Sequence, residues 1–424
     1  MGETVAQYAF PHGLRRMVGR DPLESHRAAT PLELLFDLTL VVAFAQAGDQ
    51  LAHYVAEGHL AAAISGFAFV VFAITWAWLN LAWFASAFDT NDWLQRLLTM
   101  VQMIGVLVIA LGIPAIFHSI DAGEPIDNGI VVVGYVVMRV AMVAMWLRVA
   151  VQDPQYRRIA LRYALFIGIV QIGWIVVALL TIESLPLLVA VIVLLWTAEL
   201  AAYYLATYDR KAPKGTNTGT PWHPHHIVER FGLLVIITLG EGILGTIAVV
   251  SALVENVGWS LEAVLIVIAG VGLTFGLWWS YFIIPSAPVL ARWRDRSWAW
   301  GYGHIVLFGA VAAVGAGLHV AAYAAEGHIA IGNVGVVLAV AIPVALFGVV
   351  YFGLYSLLLR AVDSFHLLLA AGMVVLLALA VVLAAVGVSL GWCLIVVMLA
   401  PFVVAVGYET VGYRHVEADI AREA

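Results

Sequence analysis

The sequence predicts an all-α integral membrane protein of twelve transmembrane helices, built as two six-helix parallel repeats with both termini in the cytoplasm. Three observations carry the prediction: a composition too apolar for a soluble fold, twelve runs of spanning length, and basic residues confined to alternate loops. Of 424 residues, 63% are hydrophobic and 11% charged, against about 45–50% and about 25% in soluble chains. A soluble fold cannot hide that much apolar surface. Disorder, a disulfide scaffold and nucleic-acid binding are excluded together. The lone cysteine, Cys393, allows no intrachain disulfide.

A membrane helix needs about 20 mostly apolar residues. Such runs occupy 32–53, 60–86, 95–118, 129–149, 159–182, 185–207, 227–253, 261–284, 299–324, 329–357, 366–387 and 389–410. The first opens on Thr30-Pro31-Leu32-Glu33, a capping box with proline at the first helical position, so Glu33 can reach back to the Thr30 amide. The breaks carry turn chemistry, as in Asp121-Ala-Gly-Glu-Pro125, the Pro285 and Pro288 pair, and Glu326-Gly327. Residues 1–31 hold Arg15, Arg16 and Arg20 without an apolar core, and read as a cytoplasmic segment rather than a signal peptide.

With the N-terminus inside, basic residues fall at 15–27, 96, 148–162, 210–230, 292–296, 360, 414 and 422, all on the cytoplasmic side or near it. The opposite loops carry Glu57, Asp121, Glu124, Asp127, Glu183, Glu255, Glu262 and Glu326, and no lysine or arginine. That alternation is the positive-inside pattern, and one wrong span would scramble it. Only Arg139, inside the fourth span, departs from it. The longest polar connection lies between spans six and seven. It divides the chain into a cytoplasmic segment 1–31, a first half 32–207, a linker 208–226, a second half 227–410 and a cytoplasmic tail 411–424. Halves with an even number of spans would be parallel repeats.

Ionisable groups within a span are expensive, at about 2.5–3.5 kcal/mol on insertion scales, and mark either function or a pairing partner. Asp37 lies one turn beyond Glu33 on the same helix face, past the reach of capping. Glu241 comes near mid-membrane in Leu239-Gly-Glu-Gly-Ile-Leu-Gly245, where Gly240, Gly242 and Gly245 permit close packing or a flexible, unwound helix. Arg139 falls at similar depth, so a buried Arg139–Glu241 ion pair is expected. Glu199 and Asn80 are further polar groups, in the cytoplasmic halves of spans six and two; His304 and His319 also lie within spans. His223, His225 and His226 precede Glu229 at a helix start, where capping or a titratable gate is expected rather than a metal site.

Thr30-Pro-Leu-Glu-Leu-Leu-Phe-Asp-Leu-Thr-Leu-Val-Val-Ala-Phe, and His226-Ile-Val-Glu-Arg-Phe-Gly-Leu-Leu-Val-Ile-Ile-Thr-Leu-Gly-Glu, resemble the signatures of the bacterial low temperature requirement A family. Glu33, His226, Glu229 and Arg230 are the helix-start residues of those motifs. The resemblance implies a multi-pass protein of the bacterial plasma membrane linked to growth at low temperature, and supplies no substrate.

The residues favour a transport protein, a transporter or channel for a small solute or ion with proton coupling as one form, whose pathway uses Asp37, Glu241, Glu199 and Asn80. Two other readings stay open. One is a membrane-embedded enzyme or lipid-binding protein acting on a hydrophobic ligand; the other is a membrane-state sensor or scaffold. No P-loop, nucleophile elbow or Cys/His metal motif is present, so a non-enzymatic role is preferred and no cofactor or metal is implied. The expected partners are the lipid bilayer and a small solute or ion, with self-association left open.

Overall fold

A computed structural model describes residues 13–22, 24, 27–180, 182, 184–207, 219–360, 362 and 364–416. Positions 208–218 of the linker and the outer ends of the two terminal segments lie outside the described residues. Within them the chain is all helical, with no strand. Among the described residues, twelve helices are long and apolar enough to cross a membrane. They are α1 (Pro31–Ala56), α2 (Leu60–Phe88), α3 (Trp93–Asp121), α4 (Gly129–Gln152), α5 (Arg157–Leu179), α6 (Leu185–Thr207), α7 (Pro224–Val257), α8 (Leu261–Phe282), α9 (Ser297–Ala325), α10 (Asn333–Leu359), α11 (Ser364–Ala385) and α12 (Leu390–Gly407). A short helix, Ser286–Arg292, and a 3-10 turn, Arg294–Arg296, link α8 to α9, and a π-helical turn, Tyr408–Gly412, extends α12.

The ends of these helices follow local chemistry. The Asp92 carboxylate caps α3 by accepting from the Gln95 amide at 3.0 Å, and Ser260 caps α8 through the Ala263 amide at 3.3 Å. At α7 the cap is a histidine. His223 Nδ1 accepts the His226 amide at 3.3 Å, which leaves Nε2–H to donate to the Glu24 carbonyl at 2.8 Å. Pro224 then starts the helix three residues before the apolar run does, because its fixed φ suits that position. α1 ends on Gly58, at φ +83°, with the His59 amide closing on the Tyr54 carbonyl at 2.8 Å. The same closure, which needs a left-handed residue, ends α3, α9 and α11.

The chain forms two compact units. The first contains Met1–Ala43 and Trp76–Glu229. In it Gly105 and Gly134 let α3 and α4 touch backbone to backbone: a Cβ at Gly134 would stand 2.6 Å from the Gly105 carbonyl oxygen. Residues 15–20 run as an extended strap whose alternate amides are held by side chains. Arg15 donates to Asp92 at 3.0 Å, Met17 to Gln152 at 2.7 Å and Gly19 to Asp153 at 2.8 Å. Arg148 clamps the strap, pairing with Asp92 and donating to the Arg15 carbonyl at 2.7 Å. Burial pushes the Asp92 carboxyl up, but hydrogen bonds from Arg148 and the Gln95 and Arg15 amides outweigh it and hold the group at about 2.

The second unit contains Phe44–Thr75 and Arg230–Ala424. α9 is its most buried helix, with 83% of its apolar window inside. Its Gly/Ala run lets neighbours approach: Gly315 meets the backbone of α7 at Glu241, and Gly317 meets the Ala339 carbonyl of α10. In α8, Ser280 Oγ donates to the Pro401 carbonyl of α12 at 3.0 Å.

Candidate functional site

The starts of the two motif segments come together in the first unit. Glu33 makes the expected capping box: its Oε2 accepts from the Thr30 amide at 2.7 Å and hydroxyl at 2.9 Å, and Thr30 Oγ1 accepts from the Glu33 amide at 3.3 Å. Its other oxygen, Oε1, lies 3.0 Å from Nε2 of the fully buried His226. Glu229 reaches the Ala29 amide at 3.3 Å, so Glu33 and Glu229 both serve the start of α1. Arg230, the next residue, is fully buried. Proximity of His226 to Glu33 was invisible along the chain, because i, i+3 spacing points His226 toward Glu229 instead.

Deeper in the same unit, tryptophans hold the buried acids. Trp78 Nε1 donates to Asp37 Oδ1 at 2.7 Å, and Trp76 Nε1 to Glu199 Oε2 at 2.6 Å. Residues two apart on a helix point about 200° apart, so Trp76 and Trp78 serve acids on different sides of α2. Arg139 approaches Glu199 Oε2 at 3.4 Å and donates to the Tyr135 hydroxyl one turn away. Tyr135 in turn donates to Glu199 Oε1 at 3.3 Å. The counter-charge of Arg139 is therefore Glu199, and not the Glu241 that depth suggests. Counting residues gives a side chain's depth but not its direction around the helix, which selects the partner. Asn80 is buried, with its amide donating to the Trp76 carbonyl and its Oδ1 left without a hydrogen-bond partner.

Glu241 belongs to the second unit. It lies at the centre of α7, is 5% exposed, and its Oε1 is buried without a hydrogen-bond partner. The helix is unbroken through Gly240, Gly242 and Gly245, so these residues do not unwind it. Gly245 instead provides contact: a Cβ there would stand 2.7 Å from the Gly315 carbonyl oxygen, and 3.2 Å from the His319 ring. At Gly242 it would stand 2.7 Å from Thr274 Oγ1, while Gly240 faces open space. His319 Nδ1 is 3.9 Å from Asp49 Oδ1, and the Asp49 charge reaches Glu241.

His304 is fully satisfied. Its Nδ1–H donates to the Trp300 carbonyl at 2.8 Å and its Nε2 accepts from the Tyr281 hydroxyl at 3.0 Å. Among the described residues no three His, Cys, Asp or Glu side chains gather to hold a metal ion.

Trp76, Trp78, Tyr135 and Asp49 were not singled out by sequence reasoning. The Trp76-Ala-Trp78 pair was the available signal, since buried carboxylates need donors and indole N–H groups supply them without a second charge. Asp49 gave less warning, lying near the end of a span, where an acid costs little.

A family model described as bacterial low temperature requirement A protein matches residues 28–401, a range that includes both motif segments. An uncharacterized protein of Rhizobium meliloti (strain 1021) is 25% identical over 311 residues, covering 71% of this chain and 70% of that protein. No solved structure matches the chain.

Proposed function

The chain belongs to the bacterial low temperature requirement A family, and from that premise we propose that it is a transport protein of the bacterial plasma membrane, a transporter or channel for a small solute or ion. The observation that carries this reading is Glu241. An intramembrane carboxylate is costly, and packed interiors compensate it with donors. Asp37 has Trp78, and Glu199 has Trp76, Tyr135 and Arg139, whereas Glu241 Oε1 has no hydrogen-bond partner. A buried acid without a donor is what a site that binds and releases a proton or cation requires. Asp37, Glu199 and Asn80 keep the first unit's interior polar, and we assign them a part in solute or ion passage within that unit.

The loop charges support cytoplasmic termini, and the division at the linker supports two parallel six-helix repeats, 32–207 and 227–410.

Water access at Glu241 tests the proposal without knowledge of the substrate. In a Cys393→Ala background, Glu241→Cys should react with a membrane-impermeant thiol reagent in proteoliposomes, while Ala312→Cys, in the buried stretch of α9, should not. An inert Glu241→Cys in a protein that elutes and melts like its parent would overturn the transport reading and favour a scaffold.

A further inference from the structure

Two groups of a kind that handle protons, Asp49 and His319, stand on helices near Glu241. Gly48 of α1 packs on Ala316 of α9, and Gly245 of α7 packs on Gly315 and His319 of α9. These contacts bring Asp49, Glu241 and His319 together from three helices of one unit. His319 Nδ1 lies 3.9 Å from Asp49 Oδ1, an ion-pair separation rather than a hydrogen bond. Accessibility rises in steps, from 5% at Glu241 to 23% at the His319 side chain and 55% at that of Asp49. The three groups therefore run from a closed end to an open one.

We infer that Asp49, His319 and Glu241 form a proton relay in which Asp49 meets water, His319 carries, and Glu241 is the buried acceptor. The inference rests on the transport reading and names its ion. A protonated Asp49 gives its proton to His319 Nδ1, leaving a carboxylate and an imidazolium. The imidazolium then releases a proton from Nε2, through water, to the Glu241 carboxylate, which becomes the neutral acid as His319 returns to neutral imidazole. Charge is conserved at each step, and no net charge stays buried when Glu241 is loaded.

The arrangement suits a proton better than a metal cation. Hard cations take six or more oxygens, whereas here two carboxylates flank an imidazole, and the unbroken α7 keeps its carbonyls in its own ladder. The remaining groups around the cluster are Thr274 of α8, which carries no charge, and Tyr323 of α9, which faces Asp49 and, just past the helix end, Glu326.

Two measurements on the full-length protein in liposomes test the relay separately from transport. Infrared difference spectra during a pH titration should show the carbonyl band of a protonated carboxylic acid appear, and Glu241→Gln should lack it. Asp49→Asn and His319→Gln should each move the band's midpoint by at least about half a pH unit, while Asp127→Asn should not. With a potential set by potassium and valinomycin, and an entrapped pH dye, Asp49→Asn and His319→Gln should slow proton entry at least about tenfold. A band that ignores both substitutions overturns the relay, even if Glu241→Gln stops the flux and the transport reading stands. A band that behaves as stated, with no flux of protons or alkali ions above empty liposomes, upholds the proton site and defeats the transport reading.

Discussion

His226 Nε2 lies 3.0 Å from Glu33 Oε1, with both side chains buried, so the start of α7's motif is joined to the start of α1. The contact gives one carboxylate two duties, since Glu33 Oε2 is already committed to the Thr30 cap. Its two oxygens can be tested apart. Glu33→Gln retains an acceptor for the cap and removes the charge facing His226; Glu33→Ala removes both. Glu33→Ala should therefore lower stability more, by about 1–3 kcal/mol for the orphaned cap donors. Thermal melts in detergent check this, and equal losses would mean that the cap contributes nothing.

Arg139 and Glu199 form a buried pair, so removing one charge strands the other. Arg139→Leu or Glu199→Leu should cost about 3–5 kcal/mol, and the double substitution should recover much of it. Adding Glu241→Leu to Arg139→Leu should recover nothing. Recovery by Glu241→Leu in a denaturation series would return Glu241 as the partner.

Acid should loosen the N-terminal strap. Asp92 is held at about 2 in the folded protein, below the ordinary value of 3.8. A depressed carboxyl contributes stability that is present above its unfolded value and lost as pH falls through its folded one. Asp92→Asn should therefore be less stable than the parent at neutral pH, and the gap should close between about pH 4 and pH 2. Denaturation midpoints across that range check it; a gap independent of pH would show that packing, not charge, is what Asp92 supplies.

Crowding at the α7–α9 contact is the next expectation. A Cβ at Gly315 would lie 2.6 Å from Glu241 backbone and Cβ atoms, so Gly315→Ala should cost about 1–3 kcal/mol by overpacking. Gly240→Ala enters open space and should be neutral, or stabilising by up to about 1 kcal/mol through helix propensity. Paired thermal melts distinguish the two. A tolerated Gly315→Ala would place the helices farther apart than the structure does.

Topology has its own measurement. A reporter fused after residue 424 should read as cytoplasmic, and one inserted within 121–127 as external. Both on one side would end the twelve-span arrangement.

Much of this architecture is written in quantities that add along the chain. Hydropathy summed over about 20 residues locates each span, and the loop charges set an orientation by simple alternation. Local chemistry is legible for the same reason: the Thr30–Glu33 cap involves residues three apart, whose distance any helix dictates. The interior pairings are of another kind. Depth follows from residue count, which is why Arg139 and Glu241 looked like partners, but the choice between Glu199 and Glu241 depends on how α4 is rotated and which helices surround it. Rotation is decided by side-chain packing over the whole unit, including the close approach of Gly105 to Gly134. The same holds for Trp76 and Trp78, which look like two more apolar residues until α2 is seen turning one toward Glu199 and the other toward Asp37. Asp49 and His319 lie on helices far apart in sequence, and only the small-residue contacts of α9 bring them beside Glu241.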